Sequence, residues 1–266
     1  MLTPIIDIRK FKGIDNLSTD DTMLASGFFR IANNVDIDSE DMLHRRKGIL
    51  RELFSGVWHS LWSDESALCF GVRNGTLTQI NPDWTLSTIL ASVGASRMNF
   101  VPIGDRVFFS NLSKVGYIAD KVAHGFPEVT EDLRSRMVGG ELIEYFNARL
   151  YAAQGEVIYH SIAKEPMVMN ARHNFIPVGG PITMMKAVKD GLYVSARNRT
   201  FFMAYSGVIS SQKVEGISDT DVPKFEYRGL LDSPALPGSA VVIEGKDFGK
   251  GSVGKSVIFS TEIGIY

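Results

Sequence analysis

The run Asp247-Phe248-Gly249-Lys250-Gly251-Ser252-Val253-Gly254-Lys255-Ser256 holds the most explicit chemical spacing in the chain. Gly249 through Ser256 fit Gly-x-x-x-x-Gly-Lys-Ser, a pattern in which backbone N–H groups cradle phosphates at a helix N-terminus. That chemistry needs a strand before the loop and a helix after it. Here the β-branched run Val257-Ile258-Phe259-Ser260 follows, and eleven residues remain from Ser256 onward. No helix, second strand or magnesium-binding acidic strand that would complete a nucleotide domain is expected there. The run reads as a glycine-rich hairpin tip, and no cofactor is expected.

Other chemistries fare no better. The five histidines are His44, His59, His124, His160 and His173, and no two stand at the i, i+4 spacing of a helical metal pair. Asp36-Ile37-Asp38-Ser39-Glu40-Asp41 begins like a calcium loop, but positions six and twelve hold Asp41 and Lys47 where Gly and Glu are needed. There is no Gly-x-Ser-x-Gly elbow to expose a serine nucleophile. Asp64, Asp105 and Asp190 recur before aromatic residues, which raises paired-carboxylate glycoside hydrolysis as a rival. All three sit where turns favour Asp anyway. The sequence nominates no catalytic, cofactor-binding or metal-ligating residue, and the chain is expected not to be an enzyme.

Composition narrows the partners. The net charge of −2 over 266 residues lacks the basic excess of a dedicated nucleic-acid binder. Arg45, Arg46 and Lys47 form one compact basic patch, close behind Asp36, Asp38, Glu40 and Asp41. The single cysteine, Cys69, lies in the apolar run Ala67-Leu68-Cys69-Phe70 and reads as a small hydrophobe. Met1-Leu2-Thr3-Pro4-Ile5-Ile6-Asp7 has no basic-then-apolar leader, and no apolar run nears the roughly 20 residues of a membrane span. A soluble protein made in a cytoplasm is expected.

The elements that would carry any site repeat. Leu68-Cys69-Phe70-Gly71, Val107-Phe108-Phe109-Ser110, Leu150-Tyr151-Ala152, Leu192-Tyr193-Val194-Ser195 and Val257-Ile258-Phe259-Ser260 resemble one another. Their aromatic anchors fall at 70, 109, 151, 193 and 259, with spacings of 39, 42, 42 and 66. An apolar run and a turn precede each anchor, as in Val57–Trp62 before Ser63-Asp64-Glu65 and Thr183–Val188 before Lys189-Asp190-Gly191. Asp190-Gly191 is a hairpin signal. Further turns follow at Arg73-Asn74-Gly75, Gln154-Gly155 and Arg197-Asn198. Strand, turn, strand, turn, strand at a period near 40 is the rhythm of a four-stranded propeller blade. A β-sandwich also spaces strands this closely, without repeating the whole pattern. The expected fold is all-β and β-propeller-like, with about four complete blades and a partial fifth. An extended segment, 1–50, precedes a propeller-like domain, 51–266, which carries an insertion at about 205–238.

The N-terminal residues add a resemblance. Phe11-Lys12-Gly13-Ile14-Asp15-Asn16, then Ala32-Asn33-Asn34-Val35-Asp36-Ile37-Asp38, then Arg45-Arg46-Lys47-Gly48, ahead of propeller-like strands, resembles tailed-phage virion proteins. The likeness is to the tail-hub and packaged-DNA-stabilisation proteins and related head–tail connectors. The chain departs from that pattern near Glu40 and Asp41, where a glycine is expected. The resemblance implies an extended N-terminal segment packed on a propeller. It also implies a structural subunit of the virion, assembled in the host cytoplasm, that closes the head exit or joins head to tail. Its partners would be copies of itself in a ring, portal, connector or tail proteins, and packaged DNA. A carbohydrate-binding or glycoside-hydrolysing propeller is the alternative.

Overall fold

The computed structural model describes residues 13–14, 28–29, 35–37, 43–45, 54–64, 68–129, 133–210, 221–244 and 254–266, and no helix occurs among them. The chain divides into two compact units, Met1–Ser55 and Gly56–Tyr266. In the first, β1 (Gly13–Ile14) pairs in parallel with β2 (Phe28–Phe29), and β3 (Val35–Ile37) pairs antiparallel with β4 (Leu43–Arg45). The side chains of the phage-like motifs and of the Asp36–Asp41 stretch lie outside the described residues, as do the basic patch beyond the Arg45 backbone and residues 245–253.

The second unit is a succession of antiparallel meanders. The first sheet is β5 (Trp58–Ser63), β6 (Cys69–Arg73), β7 (Thr76–Ile80) and β8 (Leu86–Leu90). The second is β9 (Asn99–Ile103), β10 (Arg106–Ser110), β11 (Val115–Ala119) and β12 (Val122–Gly125). A short β13 (Arg134–Arg136) precedes the third sheet, β14 (Leu142–Phe146), β15 (Arg149–Gln154), β16 (Val157–His160) and β18 (Phe175–Pro177). Between the last two, β17 (Val168–Asn170) pairs back to β13. The fourth is β19 (Ile182–Val188), β20 (Gly191–Ala196), β21 (Arg199–Ser210) and β22 (Asp221–Leu231). Two hairpins follow: β23 (Val241–Glu244) with β24 (Lys255–Ile258), and β25 (Ser260–Thr261) with β26 (Gly264–Ile265).

The hairpins form because the turn residues tolerate left-handed backbone. Asn74 and Gly75 (φ 48° and 73°), Asp120 and Lys121 (50° and 64°), and Asn147 and Ala148 (46° and 60°) each put two successive residues at positive φ. That is the turn whose twist matches the flanking strands. The turn expected at Asp190-Gly191 lies one residue earlier. Val188 pairs with Gly191, so Lys189 and Asp190 are the loop and Gly191 opens β20. Its glycine serves close packing, since a Cβ there would run into the carbonyl oxygen of Met203.

Successive strand residues point to opposite faces of a sheet, and in the second, third and fourth sheets both faces are covered. Phe70, Val72 and Leu77 of the first sheet pack with Val107, Phe109 and Ile118 of the second. On the second sheet's other face, Val101 and Phe108 pack with Ile143, Leu150 and Ala152 of the third. Phe146, Tyr151 and Ile158 then meet Leu192, Val194, Phe201 and Met203 of the fourth. Met184 of the fourth sheet is buried with Ala235 and Phe259. Two-sided burial explains why the second strands read as unbroken apolar runs rather than alternating ones. Each fully buried large side chain contributes about 1.5–3 kcal/mol of transfer free energy.

The repeat is real, with one anchor misplaced. Phe70, Tyr151 and Tyr193 lie on the second strands of their sheets and belong to the cluster shared with the next sheet. Phe109 instead faces the preceding sheet, and Phe108 holds the matching place. Arg106, Arg149 and Gly191 each follow a two-residue loop, and Phe108, Tyr151 and Tyr193 stand two residues beyond them. A one-residue shift reverses the face, and the Phe108-Phe109 doublet hides it. Phe259 falls between β24 and β25, its N–H and C=O bonded to Tyr266.

Residues 205–238, expected as an insertion, hold the distal half of β21, all of β22 and the connection toward β23. β20 pairs with β21 only over Arg199–Ala204, and beyond it β21 and β22 run on as a two-stranded arm. Tyr205 and Phe225 clamp the root of this arm against Phe146 and Tyr151 of the third sheet, with ring centroids 5.7–6.4 Å apart.

Candidate functional site

The first strands of neighbouring sheets run side by side, β9 against β14 and β14 against β19. Polar links stitch this seam. Met98 N–H donates to Ser60 Oγ at 2.8 Å, and Asn99 Nδ2 donates to the Glu141 carbonyl. Lys186 Nζ on β19 donates to Glu144 Oε1 on β14 at 2.6 Å. Burial pushes the Glu144 carboxyl above its usual range, and Lys186 beside it pulls the other way. Glu144 stands opposite Tyr151 and Lys186 opposite Tyr193, so the ion pair joins equivalent places in successive repeats. The 42-residue spacing of those two anchors is the signal that could have found it.

A second polar group is buried inside the third sheet. Tyr151 on β15 and His160 on β16 are direct cross-strand partners, rings 5.8 Å apart, with Arg149 two residues before Tyr151. All three are buried. His160 Nδ1 lies 3.1 Å from the Ser161 carbonyl, which assigns its proton to Nδ1. Burial lowers the imidazole pKa to about 4, and the nearby Arg149 charge lowers it further. Burial also drives the Tyr151 hydroxyl upward. Tyr151 Oη and His160 Nε2 find no hydrogen-bond partner among the described residues. Near neutral pH the group holds a neutral imidazole and an un-ionised phenol.

The remaining candidate residues take structural roles. His59 Nδ1 lies 2.8 Å from Ser60 Oγ, His124 stacks on Tyr117 at 5.1 Å, and the His173 N–H closes a turn onto Asn170. Among the described residues no three His, Cys, Asp or Glu side chains are grouped to hold a metal. Asp64 Oδ1 accepts the Leu68 N–H at 2.9 Å, Asp105 reaches Arg106 at 3.9 Å in the open, and the Asp190 carbonyl accepts the Tyr205 N–H. The three lie in three different sheets. Burial pushes the Cys69 thiol up, away from the nucleophilic thiolate. Of the Gly-Lys-Ser run, Gly254 precedes β24, and Lys255 and Ser256 open it as a strand, with Lys255 3.9 Å from Glu244.

Three recesses are lined by described residues. In these meanders the turn between second and third strands, and the connection to the next sheet, lie at the same end. At that end a mostly apolar recess of about 330 Å³ closes the seam, lined by Leu112, Leu142, Pro181, Ile182 and Pro237, with Arg97 Nη2 3.4 Å from the Gly238 carbonyl. Also at that end, a polar recess of about 270 Å³ lies between the β10–β11 turn and residues 136–140. At the opposite end, about 420 Å³ opens between Arg106, Phe108 and the 164–168 loop. Sequence reasoning missed all three, because each is lined by segments distant in the chain.

No helix among the described residues is long and apolar enough to cross a membrane. Comparison with known protein families, with curated proteins and with solved structures found no match.

Proposed function

We propose that Gly56–Tyr266 is propeller-like, with four complete blades and a partial fifth, and that the protein is a structural subunit of a bacteriophage virion. The sheet order supports the first half of this reading. The second, third and fourth sheets pack on neighbours through both faces, and the first strands β9, β14 and β19 lie along a common seam. In a propeller that seam is the axis.

One observation carries the second half. The outer strand β22 is eleven residues long, whereas the outer strands β8, β12 and β18 have five, four and three. Residues 226–230 of β22 are exposed, Tyr227 and Leu230 by more than half. An open edge of that length is a template for pairing with another chain unless something covers it. Together with the phage-like N-terminal motifs, it supports a protein that works through surfaces in the tail or head–tail connector and performs no catalysis. Its partners are other copies and portal or tail proteins. Light scattering after size-exclusion chromatography, alone and with the portal protein, tests this. Rings or a stable portal complex are the expected result. A monomer that ignores portal and is retained on glycan resins would overturn it in favour of a sugar-binding propeller.

A further inference from the structure

We propose that the recess between the β10–β11 turn and the 136–140 segment is a binding site for a phosphate-type anion. Two basic residues line this 270 Å³ space, Lys114 and Arg136, and none of its lining residues is a carboxylate. Lys114 has no carboxylate partner among the described residues. Arg136 gives Nη1 to Glu128 at 2.8 Å, its one side-chain partner among the described residues. Gln154 adds a side-chain amide. A planar fork beside an ammonium suits tetrahedral oxyanions carrying two charges.

The walls are held in place. Asn111, buried at the base of the turn, accepts the N–H groups of Ser113 and Lys114 at 2.9 and 2.8 Å, and its own amide donates to the Val93 carbonyl at 2.9 Å. This fixes the backbone that carries Lys114. Opposite, Gly140 N–H donates to the buried Ser110 hydroxyl at 2.8 Å, and that hydroxyl donates to the Gly140 carbonyl at 2.9 Å. A Cβ on Gly139 would lie 3.0 Å from both Ser110 Oγ and Val115 Cβ, so glycine lets the chain settle here with its backbone bare. Val138 and Gly139 keep their N–H groups free of partners among the described residues. Fixed donors, two cations and exposed main chain are what an anion needs.

The phosphate can belong to a small phosphomonoester or to a nucleic-acid backbone. The site does not depend on the virion reading, and its test is separate. Amide and side-chain NMR of the full chain is followed during titration with inorganic phosphate, against sodium chloride at matched ionic strength. Saturable shifts at Ser113, Lys114, Val138 and Gly139 are expected with phosphate only. In Lys114→Gln/Arg136→Gln the apparent affinity falls at least about tenfold with the melting temperature unchanged. A short DNA duplex that moves the same amides, is displaced by phosphate and weakens between about 50 and about 200 mM salt assigns the polymer as the source. A duplex without effect assigns small phosphates. Equal shifts with chloride, no saturation, or a double variant that binds as tightly as the parent would overturn the site.

Discussion

Lys186 on β19 holds Glu144 on β14 at 2.6 Å, joining the matching residues of two successive repeats across the seam. The carboxylate is the more enclosed partner, 13% exposed against 29% for the lysine side chain. Breaking the pair from one side is therefore worse than removing it. Lys186→Met leaves an enclosed carboxylate uncompensated and is expected to cost about 2 kcal/mol, less than a fully buried pair because water reaches the lysine. Glu144→Gln/Lys186→Met is expected to recover at least half of that. Urea midpoints of the parent, single and double variants measure it, and equal losses in single and double variants would show that the pair is not enclosed.

His160 makes stability depend on pH. Its folded pKa of about 4 lies below the ordinary 6.5, so the unfolded chain takes up the proton first. The stability due to neutral His160 is whole above about pH 6.5 and is lost as pH falls toward 4, up to about 3 kcal/mol. His160→Gln removes the titration. Unfolding free energies at several values between pH 7 and pH 4 should therefore fall more steeply for the parent than for the variant. Parallel curves would place the imidazole in contact with water.

The close pass of β20 and β21 gives a sharper steric test. Gly191→Ala drives a methyl into the Met203 carbonyl and is expected to cost about 1–3 kcal/mol. Gly229→Ala on the outer strand meets nothing within 4 Å at an ordinary φ, and should be neutral or slightly stabilising. Thermal unfolding of the two variants separates them. Similar melting temperatures would mean that β20 does not lie where its register puts it.

Much of the meander was legible because turn chemistry and apolar runs are local. Asn74-Gly75 and Asn147 take the left-handed conformation their residue types favour, and the 42-residue spacing from Tyr151 to Tyr193 is the true repeat. The Phe109 anchor failed for a physical reason: when both faces of a strand are buried, Phe108 and Phe109 are equally apolar, and nothing local says which faces onward. Site residues were harder still. Lys114 and Arg136 come to one recess, and Tyr151 meets His160, only through register and sheet packing. The buried His160 carries no sequence mark that separates it from His124, which stacks near the surface.

The exposed edge of β22 allows association to be separated from folding. Tyr227 and Leu230 are more than half exposed, so replacing them removes little core. Tyr227→Lys/Leu230→Lys adds two cations to a stretch that already holds Lys224, Glu226 and Arg228, the kind of edge charge natural strands use to repel pairing. Melting temperature should stay within a few degrees of the parent, since exposed substitutions typically change stability by less than about 0.5 kcal/mol. If the edge pairs with another chain, sedimentation velocity of the variant should show its oligomers replaced by monomer, or portal binding weakened about tenfold or more. Unchanged assembly with a folded variant would mean that neighbours meet the protein elsewhere. The arm would then serve only to clamp Tyr205 and Phe225 over the third sheet.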